Sequence, residues 1–210
     1  MAPPSTLDRA TIVDAAIRML ERDGIDGLSM RGLAAELGSK PMTLYHHVPS
    51  KSALLQLALT ELAARIPWAE PTGAPRERMI AVVADMYDRL GEIRWVVPIL
   101  GLGTHVGAPA LVVADLFIAA AMELGLSGAE ALALWRAVWW LVAAELLWQS
   151  NAARRPPGEQ LWYERVDPAE LAHLPAIARL LPEWSELSGG FDLRHAIADQ
   201  IDGALARILG

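Results

Sequence analysis

Between residues 39 and 55 the chain reads SKPMTLYHHVPSKSALL, a run that holds threonine, tyrosine, two histidines and two lysines without one carboxylate. No Asp or Glu occurs from Leu37 to Thr60, although the chain carries 25 acidic residues against 18 basic ones. Lysine supplies charge, and threonine, tyrosine and histidine supply neutral hydrogen-bond donors. Phosphate oxygens need that mixture, and a nearby carboxylate would repel them. A helix in a major groove reads bases with residues near its N-terminus, here Lys40 to Thr43. The plainer alternative is a solvated helix whose missing acids are accidental.

Other chemistries have less support. The histidines, at 46, 47, 105, 173 and 195, form no H-E-x-x-H set, and the chain has no cysteine, so a thiolate metal site is excluded. No G-x-S-x-G elbow is present. GLGTHVG, residues 101–107, fails as a dinucleotide loop because Val106 stands where the third glycine belongs and Pro98 interrupts the supposed strand. No metal or cofactor is expected, and no catalytic set recommends an enzyme.

Helices must position the acid-free run, and their signals are local. Asp8 is a good N-cap, Leu7 can staple against Ile12, and Ile12, Ala16, Met19 and Leu20 repeat at helical spacing before Gly24. Ser29 caps a second short helix that runs through Leu37 and is closed by Gly38. Pro41 suits the first turn of a third, ending near His47, with Leu44 and Val48 as its packing anchors. Ser50 caps a fourth, over 51–66, which Pro67 ends. Residues 31–37 and 41–47 form a helix-turn-helix pair.

Residues 67–75, PWAEPTGAP, read as a linker between two domains, 1–66 and 76–210. Beyond it Met79, Val83, Met86 and Leu90 line a fifth helix, and Pro98 is expected to end or kink the next. Long apolar helices are predicted over 108–124 and 129–150, a polar loop over 154–168 and a shorter helix over 169–181. Leu193, Ile197, Ile201 and Leu205 stripe the last one. The class is all-α.

Composition separates the two parts. Residues 1–66 hold seven basic and seven acidic side chains, so the net charge of −7 falls wholly on the rest. Such asymmetry suggests modules facing different partners. The start, MAPPSTLDRA, has no apolar core after a basic segment, which argues against a secretory leader; with the absence of cysteine it points to a cytoplasmic setting. Residues 129–150 are long enough to span a membrane, but Glu130, Arg136 and Glu145 interrupt them on different faces. They read instead as a helix buried partly by its own domain and partly by another chain.

LSMRGLAAELGSKPMTLYHHVPSKSALLQLAL, residues 28–59, resembles the DNA-binding motif of the TetR family of transcriptional repressors. The shared features are Arg-x-Leu-Ala-x-x-Leu-Gly, Thr-Leu-Tyr-x-His on the recognition helix, and Lys-x-x-Leu-Leu opening the fourth helix. The resemblance implies phosphate contacts from Thr43, Tyr45, His47 and Lys51. It implies base-edge contacts from Lys40, Pro41, Met42 and His46, with Arg31 on the preceding helix. One departure is that Ser39 follows the glycine where the family usually has an apolar residue, and Lys40 stands where a serine cap is common. Either Ser39 takes over the cap, or the turn packs less tightly.

Tryptophans at 95, 135, 139, 140, 148 and 162 lie in the second part. Taken singly, a tryptophan fills a core or a subunit interface. Together, Met86, Trp95, His105, Phe117, Met122, Trp135 and Trp139 are candidates to line an apolar cavity with a few polar groups. The resemblance implies a small-molecule effector there and a homodimer on palindromic operator DNA, released by that effector. Helical small-molecule carriage and enzymatic turnover, both without DNA binding, are the alternatives.

Overall fold

The computed structural model describes residues 7–209. Met1 to Thr6 and Gly210 lie outside them, and with them most of the amino-terminal stretch and the outer limits of both domain spans. Twelve α-helices and three short 3-10 turns make up the described residues, with no strand among them.

Four helices form the head. In α1 (Arg9–Gly27) the Asp8 carboxylate accepts from Thr11 N at 2.8 Å, and Gly24, at φ 70°, breaks the helical run where the glycine signal places its end. α2 (Met30–Glu36) starts on Ser29, whose hydroxyl accepts from Gly32 N. It stops at Gly38, whose φ of 61° suits a residue without Cβ. The Gly38 and Ser39 amides then donate to the Ala35 and Ala34 carbonyls, which closes the helix in a Schellman turn. α3 (Pro41–His47) follows at once, with Pro41 in its first turn, and α4 (Lys51–Arg65) is capped by Ser50. Ile12, Leu20, Leu33, Leu44, Val48 and Leu54 meet in the centre, each at most 1% exposed. At about 1.5–3 kcal/mol for each fully buried aliphatic side chain, these contacts fix α3 against α2.

The body is α5 (Pro75–Gly91), α6 (Val96–Gly101), α7 (Leu111–Glu123), α8 (Gly128–Ala153) and α12 (Leu193–Leu209), with α5 packed on α7, α8 and α12, and α8 on α7 and α12. The four-residue stripes of α5 and α12 face this core: Met79, Val83, Met86, Leu90, Leu193, Ile197 and Ile201 are buried, and Leu205 is half-buried. Glu130 opens α8 through a capping box with Ser127, which holds its carboxyl below the ordinary value.

Two expectations fail at prolines. Pro98 neither ends nor kinks a helix; it is the third residue of α6, in the first turn, where a missing N–H leaves no intrahelical bond unmade. The helix expected over 169–181 is split into a 3-10 turn, Pro168–Leu171, and α10 (Pro175–Leu180), because Pro175 starts a new first turn. With α9 (Trp162–Arg165) and α11 (Trp184–Gly189) these short pieces form a lobe in which the Trp162 and Trp184 rings meet edge-on at 5.0 Å.

The span Gly128–Arg154 is long and apolar enough to cross a membrane by length and composition, with 33% of its apolar window buried inside the chain. Its exposed side carries Leu132, Trp140 and Trp148.

Candidate nucleic-acid interface and effector cavity

On α3 only Leu44 is buried; Val48, just past its end, is the second anchor. With both pointing inward, Pro41, Met42, Thr43, Tyr45 and His46 are exposed, and so are Lys40 before the helix and Arg31 on α2. His47 and Lys51 are half-buried. The cap question resolves against Ser39: Lys40 holds the N-cap position without a side-chain bond, and the Ser39 hydroxyl lies 3.5 Å from the Lys40 carbonyl.

The electrostatics of this face are cleaner than the composition alone implies. The carboxylates bordering the acid-free run are both held by arginines, Glu36 by Arg22 at 3.0 Å and Glu61 by Arg65 at 3.0 Å. Among the described residues, Arg31, Lys40 and Lys51 are in no ion pair. Lys51 is engaged differently: its Nζ donates to the Ile25 carbonyl at 2.8 Å, so its ammonium is tethered at the end of α1. Two of its three donors remain for an anion.

A cavity of about 260 Å3 lies in the body near the head. Of the candidate residues, Met86, Trp135, Trp139 and His105 line it, together with Trp68, Leu100, Val106 and Leu111. Three expected residues are elsewhere. Phe117 is fully buried behind the wall, its ring 5.4 Å from that of Trp135. Met122, near the end of α7, is 51% exposed. Trp95 is buried beside a separate crevice between the end of α1 and the turn after α5, where Arg94 and Arg154 also stand. Sequence reading missed Trp68, whose Nε1 donates to the Ala63 carbonyl at 3.0 Å and whose ring bridges linker and cavity. A tryptophan in a proline-rich linker was the available signal. Among the described residues no Asp, Glu, Lys or Arg lines the cavity, and His105 is the one titratable side chain that does.

His105 also reaches the head. Its Nε2 lies 2.8 Å from the Ser52 hydroxyl of α4, and its Nδ1 lies 2.7 Å from Thr104 Oγ1. Gln56 of α4 donates to the Val106 carbonyl at 2.6 Å. A Cβ on Gly107 would sit 2.4 Å from the Leu59 carbonyl, so only glycine permits this approach. His105 and Val106 therefore belong to the cavity on one side and to α4 on the other, and Gly107 holds the segment against α4.

A helix-turn-helix head with an outward, acid-free third helix, joined to a larger helical body, defines a DNA-binding regulator. Residues 12–58 match the family described as bacterial regulatory proteins, tetR family. A helix-turn-helix transcriptional regulator of Saccharopolyspora erythraea is 32% identical over 179 residues, covering 81% of this chain and 76% of that protein. The chain belongs to the TetR family. Its match to the repressor DrrR1 of Streptomyces coeruleorubidus is 51% identical but spans only 57 residues, 27% of this chain and 20% of that one. Apo ActR of Streptomyces coelicolor shares the fold, with a TM-score of 0.72 and 24% identity over 98% of this chain and 97% of its own; ActR is also known in complex with (S)-DNPA. BioQ bound to its double-stranded operator matches at a TM-score of 0.60 and 25% identity, covering 70% of this chain and 89% of that one.

Proposed function

We propose that the chain is a ligand-responsive repressor that binds a palindromic operator as a homodimer, with residues 1–66 as the DNA-binding domain and 76–210 as the effector and dimerisation domain. The observation that carries the reading is the α3 face, where every side chain from Lys40 to His46 except Leu44 is exposed and, among the described residues, none is in an ion pair. Thr43, Tyr45, His47 and Lys51 take phosphates; Lys40, Pro41, Met42 and His46 approach base edges, supported by Arg31. BioQ, a relative in fold, has been solved on operator DNA.

The dimer forms through α8 and α12 of each chain, and the exposed Leu132, Trp140 and Trp148 supply apolar contact that one chain leaves open. Twofold symmetry then sets the recognition helices about 34–36 Å apart, one turn of DNA. Sedimentation at micromolar concentration is expected to show twice the chain mass; a lone 22.7 kDa species overturns the dimer.

The effector is neutral and aromatic, because the cavity offers aromatic faces and no countercharge. Occupying the cavity displaces residues 105–107 and, through Ser52 and Gln56, α4. Release follows if the ligand binds the displaced arrangement better than the DNA-bound one. Titrating labelled DNA from beside the gene at two salt concentrations, against random DNA, tests the whole reading. Tight, selective, salt-sensitive binding supports it. Absence of even nonspecific, salt-sensitive binding overturns it and returns function to the cavity alone.

A further inference from the structure

The side chains that face outward on α3 are unusual in kind as well as in freedom. Met42 is 70% exposed, more than any other large hydrophobic side chain among the described residues. Tyr45 and His46 stand three and four positions on, so all three share one helical face, with exposed Pro41 beside Met42. A single exposed apolar residue needs no explanation. Here, however, the apolar group sits in the first turn of a helix that carries no acid of its own and lies within the acid-free run 37–60, rimmed by Lys40, Thr43 and His46. Its fold has no use for that side chain: Leu44 and Val48 make the packing contacts, and among the described residues the Met42 side chain takes part in no hydrogen bond and no cap.

The floor of a major groove consists of hydrogen-bonding edges and one apolar group, the C5 methyl of thymine. A thioether side chain can neither donate nor strongly accept, and placing it over a base amide or carbonyl would leave that group without a partner. We infer that Met42 is a specificity-determining residue that reads a thymine methyl, so that each operator half-site carries an A·T pair at the position facing it. The inference rests on α3 being the DNA-reading helix, and it adds the identity of a base.

Uracil is thymine without that methyl, which gives a one-group test. Duplexes are first selected from random DNA by the wild-type protein. Each thymine of the selected site is then replaced in turn by uracil, symmetrically in both halves. One position is expected to weaken wild-type binding about fourfold per half-site, the worth of one buried methyl group. Met42→Ala is expected to bind the thymine and uracil duplexes alike. Because Met42 supports no packing, its thermal midpoint should match that of the wild type. If no thymine-to-uracil change weakens the wild type, or if Met42→Ala keeps the full discrimination, the inference is overturned while the regulator reading stands. If selection yields no preferred sequence, the DNA reading fails and this inference with it.

Discussion

In α3 one side chain of seven is buried, five are exposed, and the fold is indifferent to most of them. Around the body cavity the balance shifts toward packing: Met86, Leu90 and Val113 are buried and Trp68, Leu100, Trp135 and Trp139 half-buried, while Val106 and Leu111 are exposed. A surface that meets a large external partner can leave its groups free, because the partner supplies their contacts. A cavity for a small apolar ligand must be assembled from core residues, so binding and stability share the same atoms. Changes at the exposed positions of α3 should therefore separate affinity from stability, and changes at its buried anchor or at the cavity should not.

The sharpest test lies within one helix. Leu44→Ala removes a fully buried anchor and is expected to lower stability by about 2–5 kcal/mol in urea unfolding, abolishing DNA binding as α3 loosens. A loss below about 0.5 kcal/mol, the level expected of surface changes, would break the comparison.

Next in size is Gly107→Ala, where the added Cβ meets the Leu59 carbonyl and Ala63. Overpacking of this kind costs about 1–3 kcal/mol, and both the unfolding midpoint and operator affinity should fall together. Lys51→Ala, at the start of α4, comes next. It should flatten the slope of log affinity against log salt by about one unit and weaken all DNA sequences alike. An unchanged slope would leave Lys51 with only its bond to Ile25.

Ser52→Ala removes the α4 partner of His105 and should cost about 0.5–1.5 kcal/mol, read as a reduced difference in operator affinity with and without effector. The smallest effect is acidic. The Asp8 carboxyl is held below its ordinary value, first by the Thr11 backbone amide. Its contribution is therefore complete above the unfolded carboxylate pKa, about 4, and is lost as pH falls through the lowered folded value. Asp8→Ala should lower the midpoint at neutral pH, with the difference from wild type shrinking below pH 4.

Sequence legibility followed the same division. The head is written in neighbours: Asp8, Ser29 and Ser50 cap the helices that begin beside them, Gly38 closes α2 and Pro41 opens α3. Each signal acts within a few residues, so local reading suffices. The cavity depends on which helices meet, and spacing along one helix does not encode that. Trp135 and Trp139 line it from one helix, but Phe117 turned into the core, Met122 outward, and Trp95 to another crevice. Trp68 joined them from a linker that reads as a spacer yet is pinned by the Ala63 carbonyl and by the bond from Ala69 N to Asp85.

The single buried anchor of α3 has a consequence for descent as well as for binding. Residues that hold nothing up can be exchanged without unfolding their domain, so Met42 and His46 are free to vary while Leu44 is not. On the proposed function, a duplicated copy of this gene can acquire a new binding site on the chromosome by single, stability-neutral steps, whereas a new effector for a cavity walled largely by packing residues requires coordinated ones.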